Sequence, residues 1–279
     1  MSRRRAYPSD LTDAQWAIIE ALLPPPAPGW SPGEAPAPGD RGRDLVCVRT
    51  GCSWRQLPTD FPPWQTVYWY FTAWEQAKVT HAVLAALRGE LRQHEGRDAQ
   101  PSAGIIDSQS VKGADTVGRR TRGYDAGKKV NGRKRFIVTD TMGLLIVVVV
   151  LAASVQDRDG AKTTLLRSHA AAPRARFIFA DGAFVGRLIE WAAHILSIVI
   201  AVVRKPADQQ GFAVIPRRWA VERTFAWITA HRRLARDYER DPKCSEAMIR
   251  WAAINTMTRR LARGVPASRP GPRPLTSAT

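Results

Sequence analysis

The chain has 279 residues, enough for one large domain or two smaller ones around a sizeable core. Its 42 Lys and Arg, mostly Arg, outnumber 25 acids and give a net charge of +17. That field favours a polyanionic partner, nucleic acid first, although an Arg- and Ala-rich background proteome would give the same bias. Cys47, Cys52 and Cys244 form no CxxC pair, which excludes a disulfide framework or zinc finger and points to a reducing cytoplasm. The longest apolar run, Leu144 to Ala153, is about half a membrane span, and no apolar signal core follows the Arg-rich start.

In chain order, residues 7–23 read as a helix with Thr12 as N-cap and Trp16, Ile19 and Leu23 at helical spacing. Residues 24–43, rich in Pro, Gly and Ala, read as a linker or surface loop. A helix is predicted from about Gln65 to Lys78, carrying Tyr68, Trp69, Phe71 and Trp74, and another over 81–95. Short helices interleaved with aromatics and Arg suit a helix-turn-helix-like DNA-binding module, or a small helical domain whose aromatics are core.

The stretch Ile105-Ile106-Asp107 reads as a short buried strand ending in an acid, and Phe177-Ile178-Phe179-Ala180-Asp181 repeats the pattern. Between them lies a loop dense in bases: Arg119, Arg120, Arg122, Lys128, Lys129, Arg133, Lys134 and Arg135, with Lys112 just upstream. Such a run is either a solvated face or a phosphate-backbone contact; its glycines and its place after the first acid favour the contact. Strands are predicted over 134–141 and 143–153, the second apolar on both faces and therefore central. A helix over 160–171 capped by Asp159, a helix over 184–194, a strand over 197–203 and an amphipathic helix from Pro216 to Ile228 bearing Glu222 complete the order. Three strands, then alternating helix and strand, is the element order of a ribonuclease H-like α/β fold. The tail, 265–279, reads as disordered.

Asp107, Asp181 and Glu222 form a candidate metal-binding carboxylate cluster. Phosphodiester cleavage with two divalent ions needs acids from different elements converging on one place, and all-oxygen ligands suit Mg²⁺ or Mn²⁺. Each acid has a plainer reading: a turn or cap for either Asp, an i,i+4 ion pair with Arg218 for Glu222. The five histidines share no spacing and read as structural or surface.

The segments Asp107-Ser108-Gln109-Ser110-Val111-Lys112, Gly123-Tyr124-Asp125-Ala126-Gly127-Lys128-Lys129 and Val155-Gln156-Asp157-Arg158-Asp159-Gly160-Ala161 resemble bacterial insertion-sequence transposases of the DDE type. So do Ala180-Asp181-Gly182 and the run Arg217-Arg218-Trp219-Ala220-Val221-Glu222-Arg223, and the nearest group is the insertion-sequence-five type. Thr50-Gly51-Cys52-Ser53-Trp54-Arg55 with Phe61-Pro62-Pro63-Trp64 resembles the N-terminal domain of that group. The resemblance implies a helical DNA-binding domain over 1–98 and a ribonuclease H-like catalytic domain over 99–264. It implies that Asp107, Asp181 and Glu222 are catalytic and hold two Mg²⁺ (or Mn²⁺). The activity would be cleavage at terminal inverted repeats in double-stranded DNA and transfer of the freed 3′-hydroxyl to target DNA. A homo-oligomer on DNA, in the bacterial cytoplasm at the nucleoid and away from membranes, goes with it. Arg218 matches a basic position of the glutamate motif, implying a phosphate contact, and Arg223 and Arg232-Arg233 extend that basic face. Asp157 and Asp159 match the family too, but a turn and a helix cap explain them as well. Seven residues after Glu222, where related families carry Lys, stands Thr229.

Overall fold

The computed structural model describes residues 10–24, 44–203 and 216–264. The Pro/Gly/Ala-rich segment (from residue 25) and the tail from 265 lie outside them. Six strands form one mixed sheet: β1 (Ala103–Lys112), β2 (Gly123–Asp125), β3 (Val130–Asp140), β4 (Leu145–Ala152), β5 (Phe177–Ala180) and β6 (Val199–Val202). β3 runs antiparallel to β1, from Gly104 opposite Asp140 to Lys112 opposite Gly132, and pairs antiparallel with β2 and β4 as well. On its other side β1 takes β5 in parallel, and β6 lies parallel to β5. The predicted order therefore closes into an α/β sheet flanked by helices, behind a helical N-terminal region.

Successive strand residues point to opposite faces, and the chain uses that alternation to bury both. Ile105, Ile137 and Phe179 pack on one side with α1 (Asp13–Glu20), α3 (Trp64–Gln76), α4 (Val79–His94), α7 (Pro216–Thr229) and α8 (Pro242–Arg263). Ile106, Phe136, Val138 and Ile178 pack on the other with α5 (Asp157–Ala171) and α6 (Arg187–Leu196). Thr12 caps α1 as expected, in a reciprocal box with Gln15. α2 (Asp44–Thr50), which no periodicity in the sequence announces, buries Val46, Cys47 and Val48.

α8 is the largest element the sequence reading passed over. Its boundaries are marked: Asp241 accepts the Lys243 N–H at 2.8 Å, Pro242 opens the first turn, and Gly264 follows in the left-handed region. The helix is buried along most of its length, so its apolar residues have no one-sided period to read. Trp251 sits at its centre, 1% exposed and 5.7 Å from the Trp74 ring of α3.

Charged side chains also enter the seam between the N-terminal helices and the sheet. Arg92 of α4 meets Asp140 at 2.6 Å, Arg88 donates to the Leu145 carbonyl at 3.1 Å, and Arg250 of α8 meets Glu75 at 2.5 Å. One apolar core runs from Ile19 through Trp74 to Ile105 and Met257, so the N-terminal helices and the sheet share it.

Candidate active site

Asp107 does not end its strand. β1 continues five residues beyond it to Lys112, because β3 keeps pairing there, whereas the parallel partner β5 stops at Ala180. Asp107 is thus interior to β1 but lies where the sheet loses its second neighbour. Asp181 is the first residue after β5. The pairing of Ile105 with Phe179, carried two residues on, sets Asp107 opposite Asp181.

Parity fixes the face. Asp107 follows Ile105 by two and Asp181 follows Phe179 by two, so both project to the side where α7 packs across β1, β3 and β5. α7 supplies Glu222, and one turn earlier Arg218, whose guanidinium lies 3.4 Å from Glu222 Oε1 and 3.9 Å from Asp181 Oδ2. Two of the acids also have the plain role their sequence allowed. Asp181 Oδ1 accepts the Ala183 N–H at 2.8 Å and caps a 3₁₀ turn, and Glu222 pairs with Arg218 at i,i+4.

Burial, and secondarily the nearby Asp181 charge, outweigh the Ser108 N–H, Arg218 and Lys128 and push the Asp107 carboxyl up to about 6. Arg218 offsets only part of the charge of two carboxylates and one buried acid, and oxygen donors of this kind suit a hard divalent cation. In the arrangement seen, Arg218 stands between Asp181 and Glu222. Among the described residues no three His, Cys, Asp or Glu side chains gather closely enough to hold a metal ion.

Behind this face lies a second polar network. Ser108 and Ser110, of opposite parity to Asp107, face α5: Ser108 donates to Asp157 at 2.8 Å and Ser110 to Asp125 at 2.5 Å. Lys134 of β3 bridges the two acids, 3.2 Å from Asp157 and 3.6 Å from Asp125, and donates to the Val155 carbonyl. Asp157 therefore stands across β1 from Asp107 and Asp181, in the first turn of α5, whose N-cap is Gln156. Sequence spacing could not separate these acids; strand parity does.

Two family models cover most of the chain. Residues 98–256 match the transposase DDE domain, and residues 11–84 match a putative transposase of the IS4/5 family. The chain belongs to the DDE transposase family. No curated protein matches it. The transposase has, among its described residues, no helix long and apolar enough to cross a membrane.

The bases singled out in the sequence divide sharply. Lys112, Arg119, Arg120, Lys128 and Lys129 are exposed, Arg122 is half-buried, and the Lys128 ammonium reaches the Ser108 carbonyl at 3.3 Å. Arg133 is a correction: it is not in a loop but in β3, 0% exposed, paired with Asp237 at 3.2 Å and bonded to Thr121 and the Arg240 carbonyl. Its alternation with Lys134 and Arg135 inside a continuous β ladder, rather than its charge, decides its place. Arg233 is likewise engaged, with Glu239 at 2.8 Å and the Cys52 carbonyl at 3.0 Å. Arg223 donates to the Met142 carbonyl at 2.9 Å and stacks on Trp227, while Arg232 stays exposed.

Proposed function

We propose that the transposase cuts double-stranded DNA at the terminal inverted repeats of an insertion sequence and joins the freed 3′-hydroxyl to target DNA. What carries this reading is the set of three acids, Asp107 and Asp181 from adjacent parallel strands and Glu222 from the helix across them. Asp107, Asp181 and Glu222 would hold two Mg²⁺ or Mn²⁺. When bound, such ions activate the attacking oxygen and stabilise the leaving one in an in-line phosphoryl displacement.

The chain's own residues account for the rest. In the first step water attacks the phosphodiester, its proton passes to solvent, and a 3′-hydroxyl leaves. In the second, that hydroxyl attacks a target phosphodiester and a target 3′-oxygen leaves, so one bond forms as one breaks. Arg218 would hold the two non-bridging phosphate oxygens beside the acids, as a bidentate donor. Asp107, raised only to about 6, is mostly ionised at neutral pH and available as a ligand. Lys112, Arg119, Arg120, Arg122, Lys128 and Lys129 would take the backbone beyond the scissile site. The N-terminal region, 1–98, would engage the inverted repeats, and a homo-oligomer would bring two ends together at the bacterial nucleoid.

The test uses a labelled duplex carrying the flanking inverted repeat, in Mg²⁺, with wild type beside Asp107→Asn and Glu222→Gln. Wild type should nick the repeat end and join it to a second duplex, while each variant binds but loses cleavage by about 10²-fold or more. Cleavage surviving in both variants would remove the carboxylates from the mechanism. Cleavage without joining would reduce the activity to that of a nuclease.

A further inference from the structure

Around α7 from Glu222, on a different face of that helix, the fold encloses a cleft of about 810 Å³. Arg223 and Trp227 of α7 line it, with Arg49 of α2, Arg232, and Arg259, Arg260 and Arg263 of α8. Among the described residues the one acid on its wall is Glu95, just past α4. These residues come from sequence positions more than two hundred apart, so no run of charge in the sequence reveals the cluster.

A plain account exists for part of it. Arg49 lies in the last turn of α2, and Arg260 and Arg263 in the last turn of α8, where cations complement the helix dipole; α4 also ends here. The magnitudes show that this is not enough. Three helix C-termini at about half a negative charge each, with Glu95, offset roughly two and a half of the five charges of Arg49, Arg223, Arg232, Arg260 and Arg263. About two and a half remain, crowded into a concave surface that focuses their field. Arg260 shows the cost: burial and the nearby Arg223 and Arg263 depress its ionisation, and its Nη1 is buried without a hydrogen-bond partner. Arg260 meets Glu95 at 4.0 Å, at the limit of an ion pair. Self-repelling charge held in a cleft, with a donor left over, is what a polyanion would neutralise.

We infer that this cleft is a second duplex-binding site of the transposase, gripping the phosphate backbone of DNA on a face of α7 other than the one that carries Glu222. The inference rests on the DNA reading above. A space of this size, about 9 Å across if equidimensional, spans two or three phosphates of one strand at about 3.4 Å each.

The experiment measures duplex affinity by fluorescence anisotropy over a range of salt, in the Asp107→Asn background so that no cleavage intervenes. Each phosphate contact contributes about 0.9 to the slope of log affinity against log salt. Arg49→Gln with Arg263→Gln should lower the slope by about 1.8. Ala230→Glu, at an exposed position on the cleft wall, should weaken binding about tenfold at low salt without removing any arginine. Lys162→Gln with Arg174→Gln, exposed on the α5 layer, should leave the slope unchanged. If the double Gln variant does not fold, Ala230→Glu alone decides. A parent that binds steeply, with cleft variants matching it, overturns the cleft and leaves the DNA reading standing. A parent with no salt-dependent duplex binding overturns both.

Discussion

Arginine does opposite work in the seam around β3 and in the cleft beside α7. In the seam each guanidinium is desolvated and tied to the chain: Arg133 to Asp237, Arg135 to the Leu234 and Arg236 carbonyls, Arg92 to Asp140, Arg250 to Glu75. In the cleft Glu95 is the one carboxylate among the described lining residues, and Arg260 keeps a buried Nη1 without a hydrogen-bond partner. The same residue type, at the same formal charge, is cross-link in one place and ligand surface in the other. What separates them is the supply of acceptors: an antiparallel ladder and the loop after α7 present carbonyls and acids to the first set, and helix ends present few to the second.

That comparison breaks most visibly at Asp237. Asp237→Ala strands the Arg133 charge in a site with no exposure, and should cost about 3–5 kcal/mol, read as a lower urea midpoint with an unchanged slope. A loss under about 1 kcal/mol would mean that Arg133 finds solvent and belongs with the surface set. Arg88 tests the milder case. It makes one bond, to the Leu145 carbonyl, while its Nε is buried without a partner, and burial depresses its ionisation. Arg88→Met should change stability by no more than about 1 kcal/mol in either direction, since an apolar replacement removes a desolvation penalty along with the bond. The smallest effect on folding is expected at the exposed pair. Arg119→Gln with Arg120→Gln should stay within about 0.5 kcal/mol of wild type, yet lower the salt slope of duplex binding by about 1.8.

The strands were legible because both faces of the sheet are buried, so Ile105-Ile106 and the Leu144–Leu151 run announce themselves by composition. Asp107 and Asp181 were legible as acids after apolar runs and Glu222 as an acid on an amphipathic helix, but not the common face of the two Asp, which comes from pairing Ile105 with Phe179. The reading of 119–135 as one basic loop misplaced Arg133, because charge patterns carry no strand parity when Arg and Lys alternate with each other, whereas Arg119 and Arg120 lie exposed in a 3₁₀ turn. α8 was missed for a related reason. A helix buried on nearly every side loses the period that marks an amphipathic one, and only Asp241-Pro242 and Gly264 remain as signals. Cys52 was set aside as one of three unpaired cysteines. The structure puts its sulfur 3.8 Å from Cys47, whose hydrogen bond brings the Cys52 thiol down to about 6, a proximity that five residues of spacing did not suggest.

The hairpin tip between β3 and β4 has a reach beyond its size. Gly143 adopts a φ of 79°, and a side chain there would meet the Ala220 carbonyl and the Thr224 hydroxyl at 2.9 Å. The Thr224 hydroxyl in turn donates to the Gly143 carbonyl, and Arg223 to that of Met142. The helix that carries Glu222 therefore rests on this tip as on a bearing, while Asp107 and Asp181 are cast into the sheet itself. Two of the three acids are fixtures of the scaffold; the third is mounted on a part whose height above it is set by a single turn.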